Sequence, residues 1–196
     1  DFTRGWSLEA IKAIFANLKK SYDGDLDARK RMHDAATIAG MAYSNAFLGL
    51  EHSIAHTVGS TFDIPSGVSD AIALPQVIRF NAKRPEKLAM WPHYSVYRAE
   101  SDYAEIARAI GLTGSSDAEL IEKLVQKIID LAESVGIKMG FKDYGVDKAE
   151  FDKKVDQLAV EAYGDQNTVT NPSAPLISQI SQFMRDCYEG KGIKNK

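Results

Sequence analysis

The chain has 196 residues, of which 44% are hydrophobic and 26% are charged, and its formal net charge is −3. This balance is that of an ordinary globular domain, and the lack of a basic surplus argues against nucleic acid as a main partner. The single cysteine, Cys187, excludes an internal disulfide and any site built from several cysteines. No apolar run has membrane-spanning length and no N-terminal signal segment is recognisable, so we expect a cytoplasmic protein with no membrane partner.

The first half of the chain carries apolar residues at helical spacing. This pattern predicts helices at 7–21, 26–47, 50–58 and 68–80, the first with Ser7 as its N-cap. Pro75 lies inside the last of these segments and predicts a kink there. The second half of segment 26–47 is rich in small residues, which permit close helix–helix approach, so we expect that half to be buried.

The second half begins with an irregular connection at 83–98 that contains two prolines and several aromatic residues. Beyond it, the pattern predicts helices at 99–110, 117–135, 148–163 and 175–188. Ser116 is a suitable N-cap, and Glu119 three residues later is typical of a capping box. Since no alternating strand pattern occurs, the sequence predicts an all-α fold over residues 1–196.

Candidate chemistry centres on four histidines. We expect His33, in the polar part of a helix, to be solvated and His93, among aromatic residues, to have a packing role. His52 and His56 are four residues apart, which places both imidazoles on one face of a helix. Imidazole is a common metal ligand and titrates near neutrality. The pair would therefore bind one metal together, or divide into a ligand and a proton carrier.

The same pattern has an ordinary structural interpretation, because two histidines four apart also occur by chance. Ser53 stands where a His-Glu-x-x-His zinc site has its glutamate, so that motif is absent. Two imidazoles are also too few for a closed tetrahedral site. The spacing alone therefore defines a candidate site and leaves its role open.

The run at 37–59, TIAGMAYSNAFLGLEHSIAHTVG, resembles the signature of the iron-containing (group III) alcohol dehydrogenases. Its Gly-x-x-His-x-x-x-His core is specific to that family. Segments at 77–82, 102–107, 171–172 and 175–178 are similar to the alcohol dehydrogenase half of bifunctional aldehyde–alcohol dehydrogenases, and the resemblance covers almost the whole chain. It implies the helical C-terminal, metal-binding domain of an enzyme that interconverts acetaldehyde and ethanol with NAD and iron, as Fe(II), or Zn(II) in its place.

The resemblance also implies roles for individual residues. His52 matches a metal ligand of the family. His56 matches a histidine that is not a ligand, lies near the nicotinamide and substrate, and is implicated in proton transfer. Tyr43 matches an aromatic position that walls the substrate pocket, and Asn167 and Thr168 match a loop that returns towards that pocket.

One position departs from the family pattern. Ser66, between Pro65 and Gly67, stands where the family has a further histidine ligand, and a neutral hydroxyl is a poor ligand beside imidazole. The resemblance places the remaining ligands, an Asp and a His, before the start of this chain.

The resemblance implies partners as well. These are a small alcohol or aldehyde, NAD(H), upstream nucleotide-binding and aldehyde dehydrogenase domains, and further copies in an oligomer or filament. We expect the isolated chain to be inactive. The alternative is that it is a non-catalytic helical module that acts in oligomer or filament assembly.

Overall fold

The computed structural model describes residues 2–85 and 97–190. Within them the chain forms eight α-helices and no strand, which confirms the all-α prediction. The helices are α1 (Phe2–Tyr22), α2 (Leu26–Ala46), α3 (Leu50–Phe62), α4 (Ser66–Ala82), α5 (Ala99–Ala109), α6 (Asp117–Ser134), α7 (Lys148–Gly164) and α8 (Ile177–Glu189). Short 3₁₀ turns lie at Phe141–Tyr144 and Thr168–Thr170. Over the described ranges, no helix is both long enough and apolar enough to cross a membrane.

The chain divides into two compact units, and the first combines Asp1–Phe47 with Ser101–Gly136. In this unit α1 packs along α2, and α5 and α6 form a small core with Phe15 of α1. Ala28, Ala35 and Ala42 are the buried residues of α2 and recur every seven positions. This spacing keeps one narrow stripe of small side chains on the same side of the helix.

The second unit combines Leu48–Glu100 with Ile137–Lys196. It consists of two helix pairs, α3 with α4 and α7 with α8, which meet through α3–α7 and α4–α8 contacts. Leu50, Ile54 and Val58 recur every four residues on α3 and are fully buried in the core of this unit. Each such side chain contributes about 1.5–3 kcal/mol by burial. This face fixes the orientation of α3 and therefore decides which of its residues remain outside the core.

A close approach at Gly59 defines the turn between α3 and α4. A Cβ at position 59 would lie 3.1 Å from the Ile64 carbonyl oxygen and 3.1 Å from the buried Ser69 hydroxyl. Asp63 ends α3 in the left-handed region with φ at 55°, and its amide donates to the Gly59 carbonyl. Glycine at position 59 therefore allows α4 to begin directly against the end of α3.

Five predicted helix ends were wrong by two residues or more, and two of them are the ends of α4, which runs over Ser66–Ala82 instead of 68–80. The first helix already runs from Phe2, so Ser7 lies inside it rather than at its N-cap. The third helix continues four residues past Val58, since Gly59 fits against α4 without ending the helix. The last helix begins at Ile177 rather than at 175, where the Gln179 side chain accepts a hydrogen bond from the Leu176 amide.

The predicted burial of the second half of α2 was also wrong. In that half only Ala35 and Ala42 are buried, while Ala36, Met41 and Tyr43 are exposed. The physical reason is that α2 packs mainly along α1, which covers one stripe of the helix and leaves the rest uncovered in this chain. α4 continues through Pro75, which is buried, and the kink there stays a prediction.

Of the two hydrogen bonds expected in the capping box at the start of α6, one is confirmed. The Ser116 hydroxyl accepts from the Glu119 amide, as expected. The Glu119 carboxylate, however, bonds the amide and hydroxyl of Ser115 instead of the Ser116 amide. Hydrogen bonds from Lys123 and Ser115 lower the pKa of Glu119 to about 2. The carboxylate at this helix start is therefore ionised at all but very low pH.

The two remaining histidines have different outcomes, and the single cysteine lies in a core. His33 is exposed on α2, as predicted, and Cys187 is buried in the core of the second unit. Burial raises the pKa of the Cys187 thiol to about 12. His93 lies outside the described residues.

Candidate metal and proton-transfer site

His52 and His56 project from one side of α3, as their spacing predicts. Their ring centroids are 6.1 Å apart, and the rings are nearly perpendicular, at 87°. Their side chains are 30% and 46% exposed respectively. Because the opposite face of α3 is buried in the core, both imidazoles remain available to a ligand.

His52 contacts two carboxylates through the same ring nitrogen. Its Nδ1 lies 3.2 Å from Oε1 of Glu51 and 3.6 Å from Oδ1 of Asp70 on α4. An ionised carboxylate only accepts hydrogen bonds, so Nδ1 carries the proton and the lone pair is on Nε2. A carboxylate behind the protonated nitrogen is the usual support of a metal-binding histidine.

The pKa of His52 is raised above its ordinary value. The hydrogen bond to Glu51 is the largest cause, and the negative charges of Asp70 and Asp165 add to it, while partial burial opposes the shift. Protonation of both ring nitrogens removes the lone pair that a metal needs. A metal at His52 therefore competes with protons more strongly than it would at an ordinary histidine.

Asp70 is a partly buried carboxylate one helical turn after Ser66. Burial is the main reason that the pKa of Asp70 is raised, although the positive charge on His52 opposes the shift. No described residue donates a hydrogen bond to its Oδ1, which is shielded from solvent. Ser66 is the first residue of α4 and is exposed.

Of the two candidate metal donors in this chain, one fits a metal. His52 fits as one ligand, because its Nε2 has a free lone pair and its Nδ1 is supported. Ser66 offers a neutral hydroxyl, which does not replace an imidazole. In the ranges 2–85 and 97–190, no three His, Cys, Asp or Glu side chains are arranged to hold a metal ion.

His56 pairs with Asp165, which follows α7. Its Nδ1 lies 3.1 Å from Oδ2 of Asp165, whereas the other carboxylate oxygen accepts from the Ser53 hydroxyl at 3.0 Å. The same oxygen accepts from the Asn167 amide at 2.8 Å and from the Asn167 side chain at 3.0 Å. The carboxylate is thus held from three directions and orients the His56 ring.

The pKa of Asp165 is lowered despite burial. Burial is the largest effect and raises it, but hydrogen bonds from the Asn167 amide, His56 and Ser53 together outweigh burial. Asp165 is therefore ionised near neutral pH and accepts the Nδ1 proton of His56. This leaves Nε2 of His56 as the nitrogen that can take up or release a proton.

Thr168 contacts Ser53 of α3 directly, and Asn167 is connected to α3 through Asp165. Both residues are buried. The Thr168 hydroxyl lies 2.8 Å from the Ser53 hydroxyl and 2.6 Å from the Ala162 carbonyl. Tyr43, in contrast, belongs to the first compact unit, where it is 50% exposed. The described contacts thus connect His56, Asn167 and Thr168 through Ser53 and Asp165.

Asp165 and Asp70 were missed in the sequence. The signal for Asp165 was present, because an Asp in a turn commonly accepts a hydrogen bond from the backbone amide two residues later. Its partner His56, however, is 109 residues away. For Asp70 the sequence offered only its position one turn after Ser66.

Comparison with known proteins identifies the family. Residues 1–188 match the Fe-containing alcohol dehydrogenase family, C-terminal. The chain belongs to this family. The resemblance noted in the histidine motif is thereby confirmed, and the family's C-terminal helical domain is the fold described above.

Several relatives are bifunctional proteins. The chain is 43% identical to aldehyde-alcohol dehydrogenase 2 of Entamoeba histolytica, and the match covers 96% of this chain and 22% of that protein. It is 42% identical to bifunctional aldehyde-alcohol dehydrogenase AdhE of Escherichia coli, over 97% of this chain and 22% of that protein. The chain thus spans about a fifth of the length of these relatives. Against NADPH-dependent butanol dehydrogenase of Clostridium saccharobutylicum the identity is 42%, covering 98% of this chain and 46% of that protein.

Solved structures agree with this assignment. An iron-containing alcohol dehydrogenase from Thermococcus thioreducens is 32% identical and superposes with a TM-score of 0.82, covering 97% of this chain and 45% of that one. A 1,3-propanediol oxidoreductase is 30% identical with a TM-score of 0.80, covering 94% of this chain and 45% of that one. The described helices therefore form the C-terminal part of an iron-type alcohol dehydrogenase.

Proposed function

We propose that this chain is the metal-binding C-terminal part of an NAD- and iron-dependent alcohol dehydrogenase that interconverts acetaldehyde and ethanol within a bifunctional aldehyde–alcohol dehydrogenase. One observation carries the proposal. His52 and His56 are neighbours on α3 but contact different carboxylates. His52 contacts Glu51 and Asp70, and His56 contacts Asp165. The names of the bifunctional relatives support the substrate class.

His52 would hold the metal through Nε2. Glu51 and Asp70 keep the proton on Nδ1 and add negative charge behind the ring, which makes the imidazole a stronger donor. When bound, iron supplies Lewis acidity that polarises the substrate oxygen, and the nicotinamide carries the hydride. Ser66 would hold at most a water molecule, and the other ligands would come from outside these 196 residues.

His56 would move the alcohol proton. In alcohol oxidation its Nε2 accepts that proton, and in aldehyde reduction it returns it. Asp165 fixes the ring with Nδ1 protonated and stabilises the positive charge that appears on the ring. A positioned acid–base group of this kind contributes about 10²–10⁴ in rate.

The proposed partners follow from the same assignment. They are an upstream nucleotide-binding domain, which would bring NAD, and an aldehyde dehydrogenase domain. Assembly into an oligomer or filament stays a prediction from the resemblance.

Alanine substitutions in the full-length protein test the division of roles. We expect His52→Ala to lose iron, measured by metal analysis, and with it NADH-dependent acetaldehyde reduction. His56→Ala is expected to retain wild-type iron but to lose about 10²–10⁴ in turnover. His33→Ala is the matched control, because His33 is exposed on α2, and it is expected to change neither quantity. Equal loss of iron in His52→Ala and His56→Ala would contradict the proposal.

A further inference from the structure

The helix that carries both histidines begins without a capping side chain of its own. Its N-cap is Gly49, which has no side chain, so the first amide of the helix needs an acceptor from elsewhere. That acceptor is Oδ1 of Asn171, which lies 3.2 Å from the Leu50 amide nitrogen. The two residues are 121 positions apart and both are buried.

Asn171 is itself held rigidly. Its Nδ2 donates to Oδ1 of Asn81 and to the Ser173 carbonyl, both at 2.7 Å, and its Oδ1 also accepts from Nδ2 of Asn81 at 3.0 Å. These bonds fix which end of the amide faces α3, and every polar atom of the Asn171 side chain is used. A fully satisfied buried network of this kind has one well-defined geometry.

Gly49 and Asn171 complement each other in shape. A Cβ at position 49 would lie 3.1 Å from Oδ1 of Asn171 and 2.8 Å from Oε2 of Glu51. The missing side chain therefore makes room for two groups at once, the amide that caps α3 and the carboxylate that supports His52. A second contact ties the same loop to the helix start, since the Thr170 hydroxyl donates to the Leu48 carbonyl at 2.7 Å.

We propose that Asn171 is a positioning residue of the metal and proton-transfer site, which caps α3 in place of its own N-cap residue. The proposal rests on the function proposed above. Leu50 is two residues before His52, and the His52 amide donates to the Gly49 carbonyl in the same first turn at 3.1 Å. Asn171 thereby fixes the axial position and the rotation of α3 at the turn that carries the His52 side chain. Loosening this turn displaces the ligand nitrogen and, one turn later, His56.

Two substitutions at this position separate capping from general stability. Asn171→Leu has a similar size but removes all four hydrogen bonds. Asn171→Asp retains an acceptor for the Leu50 amide, strengthened by the positive end of the helix dipole, but its second oxygen faces the Asn81 and Ser173 oxygens, to which Asn171 donates. In the full-length protein under anaerobic conditions, Fe(II) affinity is measured by competition with a chelator, together with kcat and KM for acetaldehyde.

We expect Asn171→Leu to bind Fe(II) about tenfold or more weakly and to lose a similar factor in kcat, with KM little changed. Asn171→Asp is expected to keep Fe(II) affinity within about threefold of wild type although its Tm falls, since its acceptor remains charge-assisted. Val146→Ala is the matched control, because it removes buried volume from the same core and leaves the four hydrogen bonds of Asn171 in place. It should lower Tm and leave Fe(II) affinity unchanged.

Two results would overturn the proposal. One is wild-type Fe(II) affinity and kcat in Asn171→Leu, and the other is an equal loss of affinity in Asn171→Asp and Asn171→Leu. Hydrogen exchange of amides 50–56 gives a readout that needs no metal, and relative to other core amides it should rise in Asn171→Leu and not in Val146→Ala. If wild-type protein binds no Fe(II), or His52→Ala binds it normally, the proposed function fails while the exchange data still test the cap.

Discussion

Asp165→Asn is the substitution that tests the orientation of His56 most directly. The change keeps size and shape, and its oxygen still accepts from Ser53 and Asn167. The atom that faces His56, however, becomes an NH₂ group, which donates instead of accepting. The ring would then carry its proton on Nε2 and present its lone pair to residue 165. The nitrogen that should accept the alcohol proton would be blocked.

The structure allows the two costs of this substitution to be compared. All four hydrogen bonds to this carboxylate become neutral, but the cost is partly offset because a partly buried charge is removed, so the free energy of unfolding falls by about 1–2 kcal/mol. Loss of the acid–base contribution lowers turnover by about 10²–10⁴, equivalent to about 3–5 kcal/mol in the activation free energy. The effect on activity should therefore greatly exceed the effect on stability.

The assay is NADH-dependent acetaldehyde reduction by the full-length protein, with bound iron measured in parallel. Asp156→Asn is a matched control, because it makes the same chemical change in a carboxylate of α7 that pairs with Ser181 and Arg185. We expect wild-type iron in both variants and a large loss of turnover only in Asp165→Asn. Turnover within about threefold of wild type in Asp165→Asn would refute the argument that this carboxylate sets the tautomer of His56.

Three further predictions concern the ligand set, the packing and the pH dependence. Ser66→His adds an imidazole one turn before the carboxylate that supports His52, and we expect Fe(II) affinity in the full-length protein to rise by at least about tenfold in chelator competition. Gly59→Ala should lower the free energy of unfolding by about 1–2 kcal/mol in chemical denaturation, because overpacking exceeds the gain in helix propensity. At Gly67, where a Cβ meets open space, the same change should be neutral or stabilising. The lowered pKa of Glu119, about 2 against an ordinary value of 4.5, means that its stabilising effect is present above about pH 4.5 and is lost as the pH falls towards 2. The Tm of Glu119→Gln should therefore fall less than that of wild type between about pH 5 and about pH 3.

The histidine pair shows how much a local pattern can predict. A spacing of four places two side chains on one helical face wherever the helix lies, so the proximity of His52 and His56 followed from the sequence alone. The helix ends were harder, because capping signals such as Ser7 also occur inside helices and packing decides which of them is used. The predicted burial of the second half of α2 was wrong for a related reason. Small residues permit close packing, but they do not determine whether another helix packs against them.

Local periodicity, composition and the His-x-x-x-His motif determined the all-α fold, the position of seven of the eight helices to within a few residues at each end, and the family. The tertiary structure alone decided what surrounds the histidines. Asp165 reaches His56 across 109 residues and Asn171 reaches Leu50 across 121, so neither contact leaves a periodic signal near its partner. Such contacts form only when the core of the second unit brings the end of α7 close to α3. A hydrogen bond requires a separation of about 3 Å between its two atoms, so it produces no pattern in the sequence that lies between the two residues.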